Sequence, residues 1–253
     1  MKIIINADDF GFSKSINNGI IEAYKKGLIT TTTIMINMPY VEDAINLWKQ
    51  NKKLGLGLHI NITAGKPISN NVNSLVDENG NFYHHNKIEK NEIQLNYEDV
   101  IFEIKSQIEK LKSYDVIIDH LDCHHSIFLN DTVKRALLDI AEEYNLPMRT
   151  GEKGSLRDDA IIRNIITTDE LLQEFYADNA KYETIINFID NNKHLNTLEI
   201  MTHCGFIDED TKNRTSYINR EQEIQELQKL KDMGFYDKNK LITFKDLIYN
   251  EEK

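Results

Sequence analysis

Cysteine is scarce in this chain of 253 residues: Cys123 and Cys204 are the only two. Two thiols make no disulfide framework, so reduced cysteines and a cytoplasmic setting are expected. Long apolar runs are missing too, and nothing approaches the ~20 apolar residues of a transmembrane helix. The run Ile3–Ile5 is too short for a signal-peptide core and ends in two acids, so no such peptide is expected. There is also no basic block: 30 Lys and Arg are scattered among 41 Asp and Glu, for a net charge of −11. That balance argues against nucleic acid or an anionic membrane as the main partner. No repeat, low-complexity segment or linker divides the chain. Its length and 40% apolar content suit one domain over residues 1–253 with a substantial core.

What is present begins with the first eleven residues. The β-branched run Ile3-Ile4-Ile5 suits a strand buried on both faces, and it leads directly into Asn6-Ala7-Asp8-Asp9-Phe10-Gly11. Two adjacent carboxylates at a strand exit are costly unless paired, hydrogen-bonded or bound to a cation. In a regular strand they point to opposite faces, so serving one site requires a bend, for which Gly11 gives room. The plainer alternative has one of them capping a helix that starts near Ser15. Asp9-Phe10-Gly11 also spells a kinase metal motif, but no glycine-rich loop or lysine-bearing strand precedes it.

Further along, strands are expected at 31–36, 54–60, 116–121, 146–149, about 160–166, 197–202 and 241–243. Helices are expected at 15–26, 41–50, 99–112, 131–144, 168–176, 181–191 and 218–233. Gly55 and Gly57 in the third strand permit close backbone approach. Strands alternating with helices mean parallel βαβ units and an α/β fold, read here as a barrel. Residues 64–96, rich in asparagine with Gly65, Pro67 and Gly80, interrupt the rhythm as a long excursion over one face.

Polar residues collect at strand ends, which in parallel α/β folds converge on the active-site face. Asp8-Asp9, His59, the run Asp119-His120-Leu121-Asp122-Cys123-His124-His125, and His203 all stand there, with His194 nearby. Imidazole and carboxylate together suit zinc, iron, cobalt or manganese. Spacing allows Asp8 or Asp9, His59, and one of His120, Asp122, His124 or His125, and does not choose among them.

Three motifs in order, Asn6–Gly11, Gly57-Leu58-His59-Ile60-Asn61-Ile62-Thr63-Ala64-Gly65-Lys66-Pro67 and His120–His125, resemble the YdjC-type carbohydrate deacetylases, the chitooligosaccharide deacetylases and their relatives. The stretch Ser15–Thr33 is also similar. The resemblance implies a TIM-barrel-like (β/α) barrel that removes acetyl groups from N-acetylated mono- or oligosaccharides. It implies one divalent metal ion, Mg2+ or Zn2+, on Asp9, His59 and His124, with Asp8 as general base. Met201-Thr202-His203-Cys204-Gly205-Phe206 stands where the family has a late histidine motif, making His203 the candidate general acid. A homodimer is typical of the resemblance. Ser126 and Phe128 depart from it, standing where further histidines are common, which bears on substrate preference.

These roles suit amide hydrolysis, which needs an activated water, a stabilised oxyanion and a protonated leaving amine. Asp122 or Asp119 would orient a metal-bound imidazole. Arg149 would contact substrate or serve as an ion-pair partner. Tyr83, His84 and His85 would cap the site or lie in a solvated loop, and Phe10 would stack on a sugar or pack in the core. Trp48 is read as packing, the cysteines as small buried residues, and the charged face of Glu221–Lys231 as solvated. Competing readings are another barrel metal hydrolase, such as a phosphoesterase, and a sugar-binding or regulatory protein without activity.

Overall fold

In a computed structural model, residues 1–151 and 156–248 are described. They form two compact units. The first comprises Met1–Ile34, Pro39–Leu56 and the chain from Thr168 onward; the second comprises Met35–Met38 and Gly57–Thr167.

The sheet of the first unit is built on β1 (Lys2–Phe10), whose side chains are buried from Ile3 onward. Parallel partners flank it on both sides. β2 (Thr31–Ile34) pairs through Asn6↔Thr31, and β6 (Thr197–Thr202) runs from Lys2↔Thr197 to Ala7↔Thr202. Beyond β6 lies β5 (Glu170–Leu172), while β7 (Lys240–Leu241) adds two residues beside β1. Central strands of such a sheet are covered on both faces, which explains the uninterrupted isoleucine run. Helix Lys14–Lys25 follows β1 and is capped by Ser13, whose hydroxyl accepts from Ile16 N. Neither Asp8 nor Asp9 is therefore the cap. The helix approaches the segment after β6 so closely that a Cβ on Gly19 would stand 2.5 Å from Gly205.

In the second unit, β3 (Gly55–Ile60, entering this unit at Gly57) pairs in parallel with β4 (Leu121–Cys123) through His59↔Asp122. Helices Tyr97–Lys112 and Asp131–Tyr144 carry apolar faces that include Val100, Ile104, Ile108, Val133, Leu137 and Ile140. At Gly57 it is a side chain that approaches closely rather than another backbone: a Cβ there would meet the His120 ring at 2.5 Å. Residues 64–96 hold only a 3-10 turn at Asn73–Leu75, a bridge between Val76 and Phe82, and the short helix His85–Glu89.

Four expectations need correction. Leu156–Ile162 is a helix rather than part of a strand: Leu156 and Ala160, four apart, face inward, while Ile161 and Ile162 are exposed. Glu170–Leu172 is a strand rather than part of a helix, because pairing along β6 overrides the helix-favouring Glu and Leu. Residues 116–120 are irregular, with Ile117 90% exposed, and β4 starts only at Leu121. Leu146–Arg149 forms a single bridge, Leu121↔Met148, instead of a strand.

Candidate active site

At the end of β1 the chain bends where the paired acids demanded it. The register with β2 shifts between Ala7 and Phe10, and Asp9 has φ +70°, rare for a residue with a side chain. The bulge places two carboxylates, each only 2% exposed, in succession at one strand end. Asn6 Nδ2 donates to Asp8 Oδ1 at 2.8 Å and to Thr33 Oγ1 at 3.2 Å. Arg220, itself 3% exposed, donates from Nη2 to Asp9 Oδ2 at 2.6 Å. A buried carboxylate facing a buried guanidinium answers the desolvation cost that the sequence raised.

His203 follows β6 in the same unit. Its Nε2 lies 4.0 Å from Asp8 Oδ2 and its Nδ1 lies 4.0 Å from Glu223 Oε1. Glu223 accepts from the His203 backbone N–H and from the Tyr217 hydroxyl, each at 2.5 Å. Burial nevertheless pushes its carboxyl up to about 8. The Tyr217 hydroxyl is pushed well above its ordinary value, first by burial and then by the neighbouring Glu223. Tyr176 stacks on Tyr217 with ring centroids 4.1 Å apart and makes a T-shaped contact with His203 at 5.3 Å.

Within the second unit, a chain of polar contacts runs along β3 and β4. His59 Nδ1 and Asp122 Oδ1 are 2.7 Å apart, and Arg149 Nη1 lies 3.0 Å from Asp122 Oδ2. Burial alone would raise the Asp122 carboxyl, but the fields of His59 and Arg149 outweigh it and hold the group at about 2. An ionised Asp122 can only accept, so His59 donates to it from Nδ1, and Nε2 is the ligand atom when the ring is neutral. That Nε2 faces His124 Nδ1 at 3.3 Å. Two nitrogens each about 2.0–2.1 Å from one ion stand roughly 3.3 Å apart in tetrahedral and about 3.0 Å in octahedral geometry. The imidazole pair therefore fits a shared divalent cation. Asp119 serves a different histidine, its Oδ1 lying 2.5 Å from His120 Nδ1, and His125 Nδ1 pairs with Thr63 Oγ1 at 2.9 Å. His194 is exposed and precedes β6, at the opposite end of that strand from His203.

Comparison with known proteins bears directly on these motifs, since the YdjC-like protein family matches residues 2–238. The chain belongs to the YdjC-like family. It is 39% identical to a carbohydrate deacetylase of Clostridium beijerinckii, over 98% of this chain and 100% of that protein. A carbohydrate deacetylase of Brevibacillus brevis is 32% identical over the same shares. A crystal structure of an Enterococcus faecalis V583 protein aligns with a TM-score of 0.89 at 32% identity, covering 97% of this chain and 98% of that one. A family 4 acetyl xylan esterase of Clostridium thermocellum, in complex with a cobalt ion, shares the fold alone, with a TM-score of 0.55 at 8% identity over 100% and 92% of the chains. The YdjC-like chain thus has an α/β, (β/α)-barrel-like fold, and its relatives are carbohydrate deacetylases.

Several residues of this YdjC-like site escaped the sequence reading. Arg220 and Glu223 lie in helix Arg220–Asp232, whose charged face was expected to be solvated; both are instead buried on the same side as Leu227 and Leu230. Their signal was legible as charge at positions three apart on the apolar face of a helix, where ionised groups are rare unless paired. Asn6 and Tyr217 had no such signal. Arg149 displays the ion-pair contact set out as one of its two readings, at 9% exposure.

Proposed function

We propose that this chain is a metal-dependent deacetylase that hydrolyses the acetamido group of N-acetylated sugars or chitooligosaccharides. The observation that carries the reading is the His59–His124 nitrogen pair, backed by Asp122, on a chain whose family members are carbohydrate deacetylases. Asp9, His59 and His124 each offer one ligand atom and would hold a single Mg2+ or Zn2+. When bound, such an ion supplies Lewis-acid polarisation of the acetyl carbonyl and acidifies water.

The chain's own groups supply the rest. Asp8, steadied by Asn6, takes a proton from the attacking water as its oxygen bonds to the acetyl carbon. His203 donates a proton to the sugar nitrogen as the carbon–nitrogen bond breaks, releasing acetate and the amine. Asp8 and Glu223 flank its two ring nitrogens. Asp122 keeps His59 in one tautomer and orientation. Cys204 is no rival nucleophile, because burial pushes its thiol up, away from the reactive thiolate.

The reading extends to a cytoplasmic homodimer. No helix among the described residues is long and apolar enough to cross a membrane. Acetate release from N-acetylated chitooligosaccharides tests it, comparing metal-loaded protein, metal-stripped protein and His124→Ala. Release that needs metal and is lost in the variant is expected. Release that survives both treatments would sink the metal mechanism.

A further inference from the structure

We infer that Tyr176 is the aromatic wall of a sugar subsite beside His203, taking the apolar C–H face of an N-acetylhexosamine ring. The inference rests on the deacetylase reading of the same site and assigns it a specificity-determining residue. Tyr176 is 41% exposed, although the residue before it, Phe175, is fully buried. One face of its ring lies against Tyr217 at an interplanar angle of 24°, and the ring makes a T-shaped contact with His203 at 71°. The ring is thus held in place while much of it stays open to solvent.

The backbone gives a second, independent sign. Ala177, the next residue, has φ +51°, a left-handed conformation that alanine rarely adopts. Its N–H donates to the Tyr217 hydroxyl at 3.2 Å, and that hydroxyl donates in turn to Glu223. Strain of this kind persists where the surroundings over-determine a conformation, and it concentrates at functional sites. Here it fixes an exposed ring next to the candidate acid. A tyrosine face carries a negative quadrupole and a large apolar area. The axial C–H groups of a hexosamine match both properties, whereas an anion matches neither.

Wild type, Tyr176→Ala, Tyr176→Leu and Tyr176→Phe are titrated calorimetrically with N,N′-diacetylchitobiose, and acetate release gives KM and kcat for each. Tyr176→Ala and Tyr176→Leu are expected to raise Kd and KM about 3- to 10-fold, with a much smaller change in kcat. Tyr176→Phe restores wild-type values, because the ring and not its hydroxyl makes the contact. The leucine variant keeps apolar packing on Tyr217 without an aromatic face, so its loss separates stacking from misfolding. Kd within twofold of wild type in both Ala and Leu variants, or failure of Phe to restore it, overturns the proposal. If wild type releases no acetate but binds the sugar and the Ala and Leu variants weaken that binding, the deacetylase reading falls and the subsite stands. No binding by wild type overturns both.

Discussion

His59 and Asp122 meet through a 2.7 Å hydrogen bond between the only pair of residues that are both cross-strand partners in β3–β4 and charged or chargeable within it. Because Asp122 also faces Arg149, its carboxylate stays ionised and fixes which His59 nitrogen is left for a ligand. Asp122→Asn keeps the shape but removes the charge, and the amide can turn its NH2 toward His59. Metal affinity measured by calorimetry is expected to fall about 10- to 100-fold. An unchanged affinity would remove Asp122 from the site.

Asp8 and Asp9 are neighbours with separate tasks in the proposed chemistry, and substitution separates them. Asp8→Asn leaves the proposed ligand set intact but cannot accept a proton. Acetate release is expected to fall by about 10²- to 10⁴-fold in kcat, with metal affinity within a few-fold of wild type. Should kcat hold within tenfold, the base is another group.

Much of the frame was legible because it is local. β6 occupies Thr197–Thr202 and the helix Asp131–Tyr144 as their periodicity indicated. The need for a bend at Asp8-Asp9 followed from two acids in succession, and Asp9 bears it with φ +70°. What failed depends on distant parts of the chain. Glu170–Leu172 is a strand only because β6 lies beside it, and no local pattern announces that. Arg220 is separated from Asp9 by 211 positions in sequence, so its pairing was hidden inside a helix rich in surface charge. The contact between Arg149 and Asp122 is also non-local, which is why the sequence left both of its readings open.

Removing Arg220 tests whether its bond to Asp9 is structural. Arg220→Gln leaves the buried Asp9 carboxylate without its guanidinium, a change that typically costs about 3–5 kcal/mol. At roughly 2–4 °C per kcal/mol for a chain of this size, Tm is expected to drop by about 6–20 °C in metal-free protein. Asp9→Asn combined with Arg220→Gln should recover part of that loss, since no buried charge then remains unpaired. A double variant no more stable than the single one would show that the guanidinium acts through other contacts.

Glu223 gives the fold a pH dependence whose sign is fixed by burial. Its carboxyl is raised from 4.5 to about 8 in the folded chain. Between those values the folded state holds a proton that the unfolded state has lost, so stability falls as pH rises through this window and levels off above it. The slope approaches about 1.4 kcal/mol per pH unit for a single group in that position. Glu223→Gln is neutral at every pH and removes that contribution. In urea unfolding at pH 6 and pH 8, wild type is expected to lose on the order of 2 kcal/mol more than the variant over the interval. Parallel losses in the two proteins would mean that Glu223 is already ionised at pH 6, with Tyr217 and the His203 N–H stabilising the anion more strongly than burial opposes it.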